Sequence, residues 1–452
     1  MTDIVSDIEP PPEPLPLRRP LHDRSLPLLA AFLLIAAIAL AAAWISVFKR
    51  PPEGLASQGG AKRANVVVMR WIDDGYWHYA GLMVRHPTKL EVYRSSTGAY
   101  MLSLLFTERI AIATMGHYSW QLAALHNEIV SMLLAALAAL LAFRLTRRMG
   151  LPPRLAFVAG AAVTLIVFTF PDNLALYWEM SAQAYFAIFA LLFLLIHERC
   201  IDERRTRFLG IAQALAAFVM TLMEPFAAAA FVAGFGATVL MLEQDRTRWK
   251  RFILLAALPF IAAMALANVQ QKVAAARFPA EALSGSQPLF RSGLDGESLY
   301  YGDHLDIAMN RGAARNNWKE NRQYLFRWKW VFILGVASTL ALIAAYMAGR
   351  APRIIVETFA ALIGSWLFYA AIFSQAVVIH PYLYDVLLFV PLAIAAFALG
   401  PALAESMTRR SGAIILIVLF CAAWYAMFQM RLYALWFPAP DAKAAPPPVT
   451  SP

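Results

Sequence analysis

Charge is scarce in this 452-residue chain: Asp, Glu, Lys and Arg make up 15% of it, against 60% hydrophobic residues. That balance excludes a soluble globular core and marks a polytopic membrane protein. Cysteine is almost absent. Cys200 and Cys421 fall in different hydrophobic regions without ligand spacing, which excludes a disulfide framework or a cysteine metal site and leaves both as packing residues. The chain also lacks a glycine-rich phosphate loop and a soluble nucleotide-binding domain, which argues against a nucleotide ligand. It lacks the internal repeats common in transporters. Only the basic residues are in excess, 39 against 29 acidic for a formal charge of +10. They punctuate apolar runs and form no single stripe, so the charge reports topology and not a nucleic-acid partner.

What is present is a succession of apolar runs. Residues 1–26 form a proline-rich tail, read as disordered, with Arg18, Arg19 and Arg24 just before the first run near 28–48. That run exceeds a signal-peptide core and is read as an uncleaved anchor, although Ala41, Ala42 and Ala43 offer the small residues of a cleavage site. Runs of the ~20 residues a bilayer requires recur near 119–143, 153–170, 175–196, 208–223, 225–242, 252–268, 330–348, 354–377, 381–402 and 412–436. The expected fold is all-α and polytopic, with about eleven transmembrane helices over 27–436 and a Pro/Ala-rich tail over 437–452.

Arginine clusters at 144–154, 199–207, 246–251, 350–353 and 409–410 occupy alternate short loops on the side of the N-terminal tail, which the positive-inside rule makes cytoplasmic. The two long loops, near 49–118 and 269–329, then lie outside a bacterial-type inner membrane. An acid at mid-bilayer costs ~2.5–3.5 kcal/mol on insertion scales and marks a pathway or a site. Glu128, Glu179, Glu224, His380 and Asp385 all gather toward the outer face under this topology, while Glu357 reads as an interfacial residue at the inner end.

The outer face also carries Asp73 and Asp74, in Trp71-Ile-Asp-Asp-Gly-Tyr-Trp-His-Tyr-Ala80. A carboxylate there can deprotonate an acceptor hydroxyl or amine, and nearby cations can hold the phosphate of a lipid carrier whose tail lies in the bilayer. Two adjacent carboxylates push one pKa upward, leaving one as base and the other to orient it or to hold a divalent metal ion. The sequence leaves the metal and any cofactor undecided. The plainer reading is a helix cap, with either aspartate closing an amphipathic segment over 75–84.

The stretch Asp73-Asp74-Gly75-Tyr76-Trp77-His78-Tyr79-Ala80-Gly81-Leu82-Met83 resembles the acidic first-loop motif of the GT-C superfamily of membrane glycosyltransferases, in particular the aminoarabinose-transferase and protein O-mannosyltransferase branch. Thr97–Phe106 is similar to that family's second amphipathic outer segment, Phe143–Gly150 to its basic exit from the second span, and His380-Pro-Tyr382 to its His-x-Tyr segment. The resemblance implies a catalytic role for Asp73 with Asp74 as its neighbour. It places Tyr76, His78, Glu179, His380 and Tyr382 near the substrates, and the shared outer face adds Glu128, Glu224 and Asp385 to the candidate substrate-binding residues. Glu224-Pro225 departs from the family's Lys-Pro or Lys-Gly, and the first loop has Arg94-Ser95-Ser96-Thr97 where a Lys-Pro-Pro is expected, so Arg94 is the candidate phosphate ligand.

The second outer loop offers Tyr300 and Tyr301, which can stack on sugar rings. Asp303, His304 and Asp306 are read as ordinary loop residues, not as a metal cage, and Trp328 and Trp330 as an interfacial belt. The expected partners are a polyprenyl-phosphate sugar donor, a glycan, lipid or protein acceptor, and membrane lipids. The competing reading is a transporter or a flippase for lipid-linked sugars, in which intramembrane acids couple ions to substrate movement.

Overall fold

The structure, a computed structural model, describes residues 25–47, 66–84, 90, 92–93, 98–118, 120–169, 182–202, 207–242, 246–284, 331, 333–347, 352–372 and 389–400. The described chain is a helical bundle. Its helices are α1 (Ser25–Val47), α2 (Leu102–Met115), α3 (Trp120–Arg148), α4 (Pro153–Thr169), α5 (Ala182–Asp202), α6 (Arg207–Met223) and α7 (Pro225–Leu242). They continue with α8 (Arg246–Phe252), α9 (Leu258–Arg277), α10 (Ile333–Met347), α11 (Arg353–Ile372) and α12 (Val390–Ile394). A π-helical turn, Ile253–Ala257, joins α8 to α9 without a break.

Apolar composition makes these helices, and proline and glycine punctuate them. Pro153 and Pro225 open α4 and α7, where a missing N–H costs nothing. Gly116 and Gly150 end α2 and α3 with positive φ. α3 is the centre of the bundle: its residues 134–142 are buried against α1, α4, α5 and the last described segment. α7 and α11 approach closely because Gly234 meets Gly364, and a Cβ on Gly234 would sit 3.2 Å from backbone atoms of Gly364 and Ser365.

Three helices, Leu125–Arg148, Ala182–Cys200 and Trp249–Arg277, are long and apolar enough to cross a membrane. Ser25–Ala41, Pro153–Phe168, Arg207–Met223, Pro225–Val239, Ile333–Met347 and Val390–Leu399 are shorter apolar helices. The span expected near 412–436 lies outside the described residues. The bundle's rim is apolar where a soluble protein would be polar: Leu34 and Ile38 of α1, Phe208 and Ile211 of α6, and Ile261 and Val269 of α9 are exposed. Such a rim suits hydrocarbon and not water.

The helix ends sort into two sets at opposite ends of the bundle. At one end Arg144 and Arg148 of α3 both pair with Glu198 of α5, and Arg144 also donates to Ser25 at the start of α1 at 2.9 Å. At the same end Glu357 of α11 pairs with Arg353 at 2.9 Å and His197 of α5 at 3.4 Å. Glu357 is therefore buried and ion-paired, a closer role than the interfacial one its position suggests. His126 and Arg144 lie inside the two ends of α3, roughly 27 Å apart at the α-helical rise, close to the thickness of a bilayer core.

Two boundaries differ from expectation. The run near 252–268 extends as α9 to Arg277, because Gln271 and Ala274 are buried in its polar last turns and Ala274 packs on the first loop's core. Residues 75–84 form no continuous helix, only a short 3-10 turn at Tyr76–Tyr79, because Gly75, Ala80 and Gly81 all take positive φ.

Candidate functional site

Helix residues 66–70 enter a π-helical turn, Trp71–Gly75, that carries both aspartates. A 3-10 turn, Tyr76–Tyr79, follows, then the left-handed pair Ala80 (φ 53°) and Gly81 (φ 74°), and then strand β1 (Met83–Val84). β1 pairs antiparallel with β2 (Val92–Tyr93), which pairs parallel with β3 (Leu283–Ser284) just beyond α9. A small sheet thus ties the first loop to the start of the second. Trp71 anchors it from below, fully buried, with its indole N–H donating to the Leu82 carbonyl at 3.0 Å. Gly98 lets the next segment approach: a Cβ there would lie 2.9 Å from the Gly81 carbonyl and 3.1 Å from the Trp71 ring.

The two aspartates sit in different surroundings. Asp74 accepts hydrogen bonds from the Tyr79 hydroxyl and from Arg70 at 3.3 Å. The Tyr79 bond, reinforced by the charges of Arg70 and His78, holds its carboxyl below the usual range. Burial, with Asp74 as acceptor, pushes the Tyr79 phenol up to about 12. Asp73 is exposed and makes no hydrogen bond or ion pair among the described residues. Neither aspartate caps a helix, since neither the π turn nor the 3-10 turn has a side-chain cap bond. Tyr76 is half-buried between Trp71 and Trp77, its phenol pushed up by burial. His78 is exposed on the same turn and stacks edge-on to Tyr79, 4.8 Å between ring centres.

Glu128 lies in α3 with 1% of its surface exposed, and no hydrogen-bond partner reaches either carboxylate oxygen among the described residues. Val130, two residues on, and Met223, next to the half-buried Glu224, both pack on the cluster formed by Trp71, Tyr79 and Tyr100. The structure so brings Asp73, Asp74, Tyr76 and His78 onto one turn, with the Glu128 and Glu224 segments packed behind it. Arg94, Glu179, Tyr300, Tyr301, His380, Tyr382 and Asp385 lie outside the described residues. An unpartnered buried carboxylate stabilises nothing, so Glu128→Leu is expected to raise stability by about 1–3 kcal/mol while lowering any activity that uses it. Thermal unfolding and activity measured on one preparation check both halves.

Sequence reasoning missed several residues here. Arg70 stands four before Asp74, a helical spacing for an ion pair. Ser103 of α2, Tyr185 of α5 and His126 of α3 form a chain, 2.9 Å from Ser103 to Tyr185 and 3.3 Å from Tyr185 to His126, with His126 also 3.3 Å from Asn127. The run His126-Asn127-Glu128 inside an apolar span was the available signal. Among the described residues no group of three or more His, Cys, Asp or Glu is arranged to hold a metal ion. The Asp74 carboxylate, moreover, is already committed to Arg70 and Tyr79.

Neither a family model nor a curated protein sequence matches the chain. Among solved structures, it is similar to the Archaeoglobus fulgidus oligosaccharyltransferase, crystallised in complex with zinc and sulfate, with a TM-score of 0.48 and 13% identity. The likeness covers 92% of this chain and 54% of the other, so this chain spans about half that protein's length.

Proposed function

We propose that this protein is a membrane glycosyltransferase that moves a sugar from a polyprenyl-phosphate carrier to an envelope glycan, lipid or protein acceptor at the outer face of a bacterial-type inner membrane. The observation that carries the reading is the contrast between the two aspartates. Asp73 is exposed and has no hydrogen bond or ion pair among the described residues, and Asp74 beside it is held by Arg70 and Tyr79, on a turn at the end of an apolar bundle opposite its arginine cluster.

Asp73 takes the proton of the acceptor hydroxyl or amine as that atom bonds to the anomeric carbon of the sugar. The bond from that carbon to the phosphate oxygen breaks with inversion, and the polyprenyl phosphate leaves with the electron pair. A cation offsets the phosphate's charge, and Arg94 is the candidate for it. Asp74 is a poorer base than Asp73, because its lone pairs and charge are already engaged; it orients the turn. Glu128 and Glu224 bind substrate hydroxyls, with Tyr300, Tyr301, His380, Tyr382 and Asp385 completing the pocket.

Mass spectrometry of envelope glycans and glycolipids from a deletion strain and its parent tests this function. The deletion is expected to remove one sugar substituent and to leave its lipid-linked donor accumulated. An unchanged set of linkages would overturn the reading.

A further inference from the structure

The turn after the acid pair is strained and clamped from outside its own segment. Ala80 is the single non-glycine residue with positive φ among the described residues, a conformation that persists only where its surroundings over-determine it. Part of that clamp comes from the end of α9. Arg277 Nη1 donates to the Trp77 carbonyl at 2.7 Å, and the Phe278 ring stacks on Tyr79 with 6.0 Å between centres. β3, five residues further on, continues the sheet that starts at β1.

We infer that Arg277, together with Phe278, is a positioning residue for the acidic turn: the entry to the second long loop holds Tyr79 against Asp74. This rests on reading that turn as the reaction site. Direct charge effects do not account for the link. The charges acting on Asp74 are those of Arg70 and His78, while Arg277 reaches only backbone carbonyls of the turn. Glu108 and Arg109, on α2 packed against the π turn, and Asp73 beside it are the other ionisable groups nearby. A ligand that moves the second loop would therefore change the state of Asp74 through the turn's geometry.

The test follows Asp74 itself. The full chain in lipid nanodiscs is treated with a water-soluble carbodiimide and glycinamide across the acid range, and modification of Asp74 is read by mass spectrometry. Tyr79→Phe calibrates the readout. The folded carboxyl lies below its ordinary value because of the Tyr79 bond, so removing the hydroxyl moves the protonation midpoint up. Arg277→Ala is expected to move it in the same direction by part of that amount, with Arg277→Lys nearer to wild type because it keeps a cationic donor. Phe278→Leu provides a second arm through the ring stack, and decides the matter by the same midpoint should Arg277→Ala fail to fold. Midpoints unchanged in folded Arg277→Ala and Phe278→Leu would overturn the inference. The readout needs no sugar transfer, so a shifted midpoint in a protein that transfers nothing would sink the proposed function and leave the positioning role standing.

Discussion

Asp73→Asn is expected to lower sugar transfer about 10²–10⁴-fold, the usual worth of a positioned acid or base, in a protein that inserts and purifies like the parent. The second half of that expectation comes from the structure. Asp73 is exposed and makes no hydrogen bond or ion pair among the described residues, so the amide removes a proton acceptor and no structural contact. Asp74→Asn is expected to cost less. Its amide oxygen still accepts from Tyr79, and what is lost is the charge facing Arg70. A helix cap forecasts otherwise, because asparagine caps about as well as aspartate, and Asp73→Ala would then cost about 1 kcal/mol of stability. The π turn has no side-chain cap bond, so Asp73→Ala is expected to melt with the parent. Transfer assays and melting temperatures on the three variants separate the cases, and full transfer in Asp73→Asn would end the assignment of Asp73 as base.

Features set by the solvent were legible in the sequence, and those set by contacts between distant segments were not. The long apolar runs of α3, α5 and α9 announce themselves because a bilayer demands them, and Arg144 and Arg148 mark where the apolar run of α3 stops. The acid pair itself was visible in the sequence. Its surroundings were not, since the pairing of β2 with β3 joins segments almost two hundred residues apart, and no local pattern encodes that. Gly75, Ala80 and Gly81 explain the missing helix over 75–84. Gly75 and Gly81 are readable in advance as breaking signals, but alanine in a left-handed conformation is not. The polar last turns of α9 look like the start of a loop, and become helix because Gln271 and Ala274 are buried there.

Glu198 shows the same limit at the other end of the bundle, and there the consequence is stability. Read alone, Glu198-Arg199 at the end of an apolar run is an ordinary solvated exit. In the fold its carboxylate has no exposed surface and lies between Arg144 and Arg148, each with 10% of its side chain exposed, so one acid holds α3 to α5. The Arg144 bond to Ser25 extends the same network to α1. Glu198→Gln removes the carboxylate that both guanidinium groups face, and breaking such a pair typically costs about 3–5 kcal/mol. The lower figure is expected here, since an arginine near a helix end can swing its head group toward water. Transfer by the folded fraction should stay near that of the parent, because the acid pair sits at the opposite end of the bundle. Replacing all three groups by Met at 144, Leu at 148 and Met at 198 is expected to recover most of the loss, because the desolvation cost of the charges goes with them. Thermal unfolding in one detergent reads all three proteins, and a Glu198→Gln variant as stable as the parent would show that this triad does not hold the helices together.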